Sequence, residues 1–342
     1  MADIDLLYGR PGSRKTTLIG QYAKWLYKTK GLKTRVYCGD GGVKTLNSLI
    51  RAGIVQAWDY TTHNNPQTVT RYIAQGAWPT GYDSRQADVP PSPTVELVMP
   101  GPKELAEIGC WAFEGIQSMG SYVMGSGKGG FAWLASKGKS IGMDKGVIRL
   151  ADTKLTIDPE KATGQAAEMG ETFGGNTPTH YGFAQSHLLD CIRLSKGLPG
   201  KILWTTWERV VEPKEDNKEG MQVIAKVYES VQGPAGPGAA MTSTLAGIFG
   251  NTLHLMGVKT QRKEKDPLLN REVLVPAVSY RMYLRNHFDP EGRSPIMFAA
   301  NSRIPPTMAE KFFPQDWVEP DLIKFYATIE EAERLEMEEV LA

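Results

Sequence analysis

Gly9-Arg10-Pro11-Gly12-Ser13-Arg14-Lys15-Thr16 is the most informative segment of this 342-residue chain. The apolar run at 4–8 before it predicts a short strand, and the helical spacing of apolar residues over 15–30, stopped by Gly31, predicts a helix after it. The segment itself has the spacing G-x-x-x-x-G-K-[ST], in which backbone N–H groups converge on phosphate oxygens. The order of strand, loop and helix therefore predicts a phosphate-binding loop.

The chemistry of such a loop assigns a role to each residue type. The lysine reaches the terminal phosphates, the hydroxyl that follows it binds Mg²⁺, and the N-terminus of the next helix points its positive end at the anion. We therefore expect ATP and Mg²⁺ as ligands, with Thr16 as a metal ligand. The alternative is a Gly/Pro turn before an ordinary amphipathic helix. The predicted nucleotide-contacting residues are Gly9, Arg10, Pro11, Gly12, Ser13, Arg14, Lys15, Thr16 and Thr17.

Arg14 departs from this motif because it stands where the second glycine is expected. A side chain at this position either points away from the nucleotide or joins it. Arg14 therefore either adds a cation to the site or impairs binding, and the sequence leaves both alternatives open.

The rest of the chain predicts an α/β fold, in which a mainly parallel, twisted sheet is flanked by helices. Strands alternate with helices up to about residue 260. This part is predicted to form the core (1–260), with an irregular, glycine-rich insertion at about 125–176, and 261–342 to form a C-terminal extension with an acidic helical tail. The predicted strands are 34–38, 54–58, 110–114, 201–206, 252–258, 277–284 and 295–299, and the predicted helices are 43–52, one after Pro66, 103–108, 181–196, 241–249 and one from 321.

Two acidic residues follow or end predicted strands and are candidates for catalysis. A phosphate-transferring site needs one acid that holds magnesium and one that orients the attacking water. Glu114 ends the apolar strand 110–114 and is the candidate for magnesium; its alternative is a glutamate that contacts solvent. Asp40 lies in Cys38-Gly39-Asp40-Gly41-Gly42 and is the candidate for water, with a simple Asp-Gly turn as its alternative.

The order of these features resembles the phage-encoded RecA-like P-loop ATPases, a group of nucleotide-binding or AAA-family proteins that includes RecA-like single-strand annealing recombinases. The resemblance covers about residues 3–260. It is carried by the phosphate loop, the acid before Gly-Gly, the acid-ended strand, the Thr-Thr-Trp-Glu at 205–208, Gly-Pro-Ala-Gly-Pro-Gly at 233–238 and Leu-Ala-Gly-Ile-Phe at 245–249. It implies a RecA-like core that hydrolyses ATP, with Lys15, Asp40, Glu114 and Thr206 as catalytic residues.

Three departures from the family bear on the rate of hydrolysis. The Asp and Glu are exchanged relative to the usual order, Trp207 stands where His or Gln is common, and Arg14 replaces glycine. The favoured function is a DNA-dependent ATPase of phage recombination or replication. The alternatives are a nucleotide-binding structural or assembly protein with low turnover, and a helicase-like or motor subunit.

The charge of the whole chain does not favour DNA binding, so a DNA site must be a local basic patch. Thirty-nine Lys and Arg against 38 Asp and Glu leave a net charge of +1, so no global field attracts nucleic acid. The insertion is locally basic, however, and has aromatic residues that can stack on the bases of single-stranded DNA. The alternative is a solvated insertion whose aromatic residues pack on the core. The candidate DNA-binding residues are Lys128, Phe131, Trp133, Lys137, Lys139 and Lys145.

Self-association into a ring or filament follows from the same resemblance. Lys259 and Arg262 are candidates for contact with a neighbour's nucleotide, with a solvated turn as the alternative. The tail over 330–342 has six Glu and one Arg, which predicts either a surface that competes with DNA or a solvated helix face.

Composition excludes several other classes. Three dispersed cysteines argue against a disulfide framework or a zinc site, and none of the five histidines forms a close pair in sequence of the kind that binds metal. Two early aspartates and the absence of a long apolar run argue against a signal peptide and a membrane span. We expect a cytoplasmic protein, in the host cytoplasm if it is viral.

Overall fold

The computed structural model describes most of the chain, and its architecture is α/β. The described residues are 4–86, 90–125, 130, 139–144, 147–154, 178–210, 232–236, 239–265, 271–288, 290, 297–302, 304 and 306–341. The predicted fold class is confirmed, since the strands at 4–9, 33–38, 55–59 and 108–114 each pair in parallel within the main sheet and helices connect them.

The elements follow in an alternating order through the first half of the chain. The strands are β1 (Ile4–Gly9), β2 (Lys33–Cys38), β3 (Val55–Asp59), β4 (Trp78–Pro79), β5 (Leu97–Val98), β6 (Ile108–Glu114), β7 (Lys139–Asp144), β8 (Val147–Lys154), β9 (Lys201–Val210), β10 (Gln232–Pro234), β11 (Asn251–Lys265), β12 (Glu272–Tyr283), β13 (His287–Phe288), β14 (Met297–Phe298) and β15 (Trp317–Val318). The helices are α1 (Lys15–Lys30), α2 (Asn47–Arg51), α3 (Pro66–Ile73), α4 (Pro102–Glu107), α5 (Ile116–Met124), α6 (Pro178–Ser195), α7 (Ala239–Ile248), α8 (Pro306–Phe312) and α9 (Leu322–Leu341).

The chain divides into two compact units. The first unit comprises Met1–Ile4, Ala23–Thr205 and Ala235–Met241, and the second comprises Asp5–Tyr22, Thr206–Pro234 and Thr242–Ala342. The predicted boundary at residue 260 falls inside β11. The division into a core and a C-terminal extension stays a prediction.

The first unit is built on four parallel strands. β2 pairs with β3 on one side and with β6 on the other, and β6 pairs with the beginning of β9. The centre of this sheet is aromatic, because Phe113 stacks on Trp204 with ring centroids 4.4 Å apart and on Tyr37 at 5.3 Å. The near-continuous burial of β6 is what a strand covered on both faces requires.

The second unit combines parallel and antiparallel pairs. β1 pairs in parallel with β11, with Tyr8 opposite His254, and β11 continues into a long antiparallel ribbon with β12. β15 pairs antiparallel with β12 on the other edge of this ribbon. Separately, the end of β9 pairs with β10, β10 pairs with β14, and β14 pairs with β13. α9 is fixed to β1 because the Tyr326 hydroxyl donates a 2.8 Å hydrogen bond to the buried Asp5 carboxylate.

The structure differs from the sequence predictions at several elements. The single helix predicted over 43–52 is a 3₁₀ turn, Gly42–Leu46, followed by the short α2, and its N-cap Gly41 has a left-handed φ of 73°. The helix α5 and the β7–β8 hairpin were not predicted. Within the described ranges no helix is long and apolar enough to cross a membrane.

Candidate functional site

The phosphate loop predicted from the sequence follows β1 directly and needs glycine at two points. A Cβ on Gly9 would lie 2.2 Å from the carbonyl oxygen of Leu255 on β11, so a side chain does not fit there. Gly12 has a φ of 80° and open space on its Cβ side. The first glycine therefore allows close approach of two strands, and the second allows a left-handed turn that only glycine adopts at low cost.

Lys15 is held inside this loop rather than extended into solvent. Its ammonium group donates hydrogen bonds to the carbonyl oxygens of Gly9 at 2.8 Å and Arg10 at 3.1 Å, and to the Ser13 hydroxyl at 3.3 Å. The side chain is 8% exposed. α1 begins at Lys15 and has no acidic residue in its first turn, so no carboxylate of that turn offsets the positive end of the helix dipole. This arrangement suits an anion.

Arg14 takes the left-handed conformation that its glycine-like position demands, with a φ of 70°. Its guanidinium group lies 4.2 Å from the ring centroid of Tyr280 on β12. The backbone still joins the helix, since the Arg14 carbonyl accepts a 3.0 Å hydrogen bond from Leu18 N–H. The sequence left open whether the Arg14 side chain joins the nucleotide or points away from it. In the structure this side chain stacks on Tyr280.

Arg10 joins the loop to a buried carboxylate on β9. Its Nε donates to Glu208 Oε1 at 3.3 Å, and the other oxygen of Glu208 lies 3.1 Å from Nε2 of His254 on β11. Burial favours the neutral acid, but the hydrogen bond with His254 and the contact with Arg10 outweigh it, so the pKa of Glu208 lies below its usual value. Glu208 is thus an anion in the structure, beside the phosphate loop.

The sequence analysis missed the histidine part of this group. His254 and His287 were weighed only as metal ligands, yet Nδ1 of His254 lies 2.8 Å from Nε2 of His287. The available signal was the position of His254 in an apolar strand, where a buried histidine requires polar partners.

Asp40 and Glu114 lie together in the first unit, at the carboxyl ends of the neighbouring strands β2 and β6. Glu114 is 2% exposed and accepts a hydrogen bond from the thiol of Cys38 at 3.1 Å, so the alternative that it contacts solvent is wrong. Burial and the Glu114 charge raise the pKa of that thiol. Asp40 is exposed and accepts a 3.2 Å hydrogen bond from Gly42 N–H, which is the Asp-Gly turn geometry.

The next residue, Gly115, connects these acids to β9. Its N–H donates to the Thr205 hydroxyl and carbonyl oxygens, both at 3.1 Å. A Cβ added to Gly115 would lie 3.6 Å from Asp40 Oδ2, so the Asp40 carboxylate is close to this turn. The carboxyl ends of β2, β6 and β9 therefore meet at one edge of the first unit's sheet, where α/β proteins commonly bind ligands.

The other predicted site residues are distributed as follows. The loop with Pro11, Thr16 and Thr17 belongs to the second unit, as does the buried Thr206 on β9, whereas Asp40 and Glu114 belong to the first. The predicted catalytic roles of these residues stay predictions.

The predicted DNA-binding and inter-subunit residues also remain untested. Lys128, Phe131, Trp133, Lys137 and Lys145 lie outside the described residues, and Lys139 begins β7. Lys259 and Arg262 are exposed on β11, where Arg262 forms an ion pair with Glu264.

Each unit carries oxygen donors of the kind that suit a magnesium ion. In the part of the chain that the structure describes, no cluster of three or more His, Cys, Asp or Glu could hold a metal. Magnesium in phosphate sites commonly uses one or two protein oxygens together with substrate phosphates and water. The Thr16 hydroxyl of the second unit is one such donor, and the Glu114 carboxylate of the first unit is another.

Comparisons with known proteins find a likeness to solved structures but no match to a family model or to a curated protein. A solved structure of the RadB recombinase is similar with a TM-score of 0.31 and 10% sequence identity, over 87% of this chain and 90% of that chain. The α/β assignment rests instead on the strand pairing described above.

Proposed function

We propose that this protein is a RecA-like P-loop ATPase that binds ATP with Mg²⁺ and acts on single-stranded DNA in phage recombination or replication. One observation carries the nucleotide-binding part. A nearly buried lysine is held by loop oxygens at the start of a helix, in a loop whose Gly12 has open space and a left-handed backbone. Anions bind favourably where helix N-terminal N–H groups and a lysine converge.

The proposal assigns one task to each predicted residue. The loop N–H groups and Lys15 bind the phosphates. Thr16 and Glu114 would hold magnesium, which would supply positive charge to the phosphate oxygens. Asp40 orients the attacking water, and Thr206 lies on the strand that senses the terminal phosphate. These assignments combine the sequence motif with the family resemblance, and each is open to substitution.

Lys15→Ala tests nucleotide binding most directly. We expect it to weaken the affinity for a fluorescent ATP analogue at least about tenfold, since a charge-assisted hydrogen bond to phosphate contributes roughly 1.5–3 kcal/mol. Lys28→Ala is the matched control, because Lys28 is an exposed lysine in the last turn of the same helix. Equal affinity of the two variants would refute the proposed phosphate site.

Hydrolysis and DNA dependence need a second experiment. ATP turnover is measured with and without single-stranded DNA, at two salt concentrations, for the parent protein and for a variant in which Lys128, Lys137 and Lys139 are neutralised. We expect DNA to stimulate turnover, with a loss of stimulation at higher salt and in the variant. DNA binding that is insensitive to both changes would contradict the insertion as the DNA site.

A nucleotide-binding assembly protein with low turnover is the second candidate. Two residues favour it. Arg14 stands where the motif has glycine and stacks on Tyr280, and the Asp40 carboxylate, the predicted group for orienting water, accepts a hydrogen bond within its own turn. This candidate predicts Lys15-dependent nucleotide binding without DNA-stimulated hydrolysis. Self-association through Lys259 and Arg262 would accompany either candidate, and sedimentation of variants at these positions with and without ATP tests it.

A further inference from the structure

Three buried side chains in the second unit form a continuous hydrogen-bonded chain that begins at the phosphate loop. Arg10 contacts Glu208, Glu208 Oε2 contacts His254 Nε2 at 3.1 Å, and His254 Nδ1 contacts His287 Nε2 at 2.8 Å. The chain ends where His287 Nδ1 lies 2.9 Å from the carbonyl oxygen of Phe288. The side chain of Glu208 is 2% exposed, and His254 is fully buried. We call Glu208, His254 and His287 the acid–histidine chain.

Hydrogen bonding at all three of these contacts needs one proton more than two neutral imidazoles supply. The three hydrogen bonds, from Glu208 to the Phe288 carbonyl, each require one proton between the paired atoms. Two neutral histidines provide only two, because each carries a hydrogen on one ring nitrogen. The third proton therefore makes one ring an imidazolium or makes Glu208 a neutral acid.

The surroundings place this proton on His287. Arg10 and His254 hold the pKa of Glu208 down, which argues for a carboxylate. Burial, together with the positive charges of Arg10 and Lys15, lowers the pKa of His254 although Glu208 opposes it, so His254 is the neutral ring. His287 has both nitrogens beside acceptors in this arrangement, and its ring stacks on Tyr283 with centroids 3.4 Å apart.

We propose that the acid–histidine chain is a proton-holding unit, with His287 as its imidazolium, and that it positions Arg10 for a phosphate anion. This rests on the proposed nucleotide-binding function. With the proton present, the charges of Glu208 and His287 cancel, and the Arg10 charge is available to phosphate. When His287 releases its proton to solvent, one hydrogen bond is lost, and the uncompensated Glu208 charge retains Arg10 and repels phosphate. Nucleotide affinity therefore falls as the pH rises.

Several described groups face the chain from neighbouring elements. Tyr8 on β1 stacks on His254 with centroids 4.3 Å apart, and burial followed by the Glu208 charge raises the pKa of its hydroxyl, so it stays neutral. Arg10 and Lys15 face it from the loop and α1, and Tyr283 faces it from β12. The proposal therefore assigns the change of charge near neutral pH to the acid–histidine chain itself.

The proton count can be measured without nucleotide. Long-range ¹H–¹⁵N correlation spectra of the protein at pH 7 report which imidazole nitrogens carry hydrogen, and the chain has only five histidines to assign. We expect His254 to carry hydrogen on Nε2 alone and His287 on both nitrogens. In Glu208→Gln the second proton of His287 should leave at lower pH. A His287 ring with one bare nitrogen at pH 7 would overturn the proposal.

The effect on Arg10 is measured as nucleotide affinity against pH. Between pH 6.5 and 9 the affinity for a fluorescent ATP analogue with Mg²⁺ should fall about tenfold, the size expected for one unit charge that is partly screened by solvent. Glu208→Gln should change less than about twofold over the same range, because it removes the charge that becomes uncompensated. His63→Asn is the control, because His63 belongs to the first unit. It should keep the pH profile of the parent protein, and that shared profile includes any effect of ionisation of the nucleotide itself.

The two failures are distinguishable. If Glu208→Gln follows the same pH profile as the parent protein, the acid–histidine chain does not act on Arg10 and the inference is wrong. If no pH gives Lys15-dependent binding, the proposed nucleotide site is wrong, while the protonation of His287 is still decided by the spectra.

Discussion

Substitution of the two loop glycines by alanine should separate a steric requirement from a conformational one. In Gly9→Ala the new Cβ would lie 2.2 Å from the Leu255 carbonyl oxygen and 2.8 Å from the Ser13 hydroxyl. An ordinary carbon–oxygen contact is longer by about 1 Å, so β1 and β11 must separate by that amount at the loop. Overpacking of this kind costs roughly 1–3 kcal/mol. In Gly12→Ala nothing lies within 4 Å, and the cost is the left-handed φ alone, about 1 kcal/mol.

Native-state hydrogen exchange at β11 gives the measurement. Leu253 and His254 pair with Leu7 and Tyr8, so their amides report opening of the β1–β11 ladder. At about tenfold per 1.4 kcal/mol, a cost of 3 kcal/mol predicts exchange that is faster by roughly 100-fold in Gly9→Ala. Gly12→Ala should change it by less than about fivefold. Equal exchange in the two variants would refute the argument that close approach, rather than backbone conformation, fixes glycine at position 9.

Two further predictions concern stability away from the loop. Asp5→Asn removes a buried carboxylate that accepts the Tyr326 hydroxyl, and it should destabilise α9 by about 2 kcal/mol, seen as faster limited proteolysis of this helix, with a smaller effect in Tyr326→Phe. Burial lowers the pKa of His187 to about 4, so its contribution to stability is complete above the unfolded value near pH 6.5 and is lost as the pH falls towards 4. Thermal melts should therefore show a weaker loss of stability in acid for His187→Gln, and identical pH profiles would contradict this.

The sequence was sufficient where local pattern and fold agree. The apolar run before Gly9, the spacing of the loop and the periodicity after Lys15 each depend on neighbouring residues, and β1 and α1 lie where these patterns predict them. The helix predicted over 43–52 was less successful. Apolar spacing there is compatible with both an α-helix and tighter turns, and the left-handed Gly41 starts a 3₁₀ turn instead.

The acid–histidine chain was out of reach for physical reasons. Its members are separated by 46 positions between Glu208 and His254 and by 33 between His254 and His287. Their proximity depends on three strands that meet only in the folded unit. A single sequence shows each histidine as an isolated polar residue, and only the paired atoms reveal that the bonds require a third proton.

Arg14 shows how a departure from a motif changes meaning once its contacts are known. The motif has glycine here because the backbone is left-handed, and a φ of 70° for arginine carries a strain of roughly 1–2 kcal/mol. The stack of its guanidinium on Tyr280 returns about 0.5–1 kcal/mol at an exposed position, which offsets part of that strain but not all of it. A strained residue beside the phosphate loop is maintained by the structure around it rather than by local preference. Arg14 is therefore better explained as a residue that joins the loop to the β11–β12 ribbon than as a glycine lost without replacement.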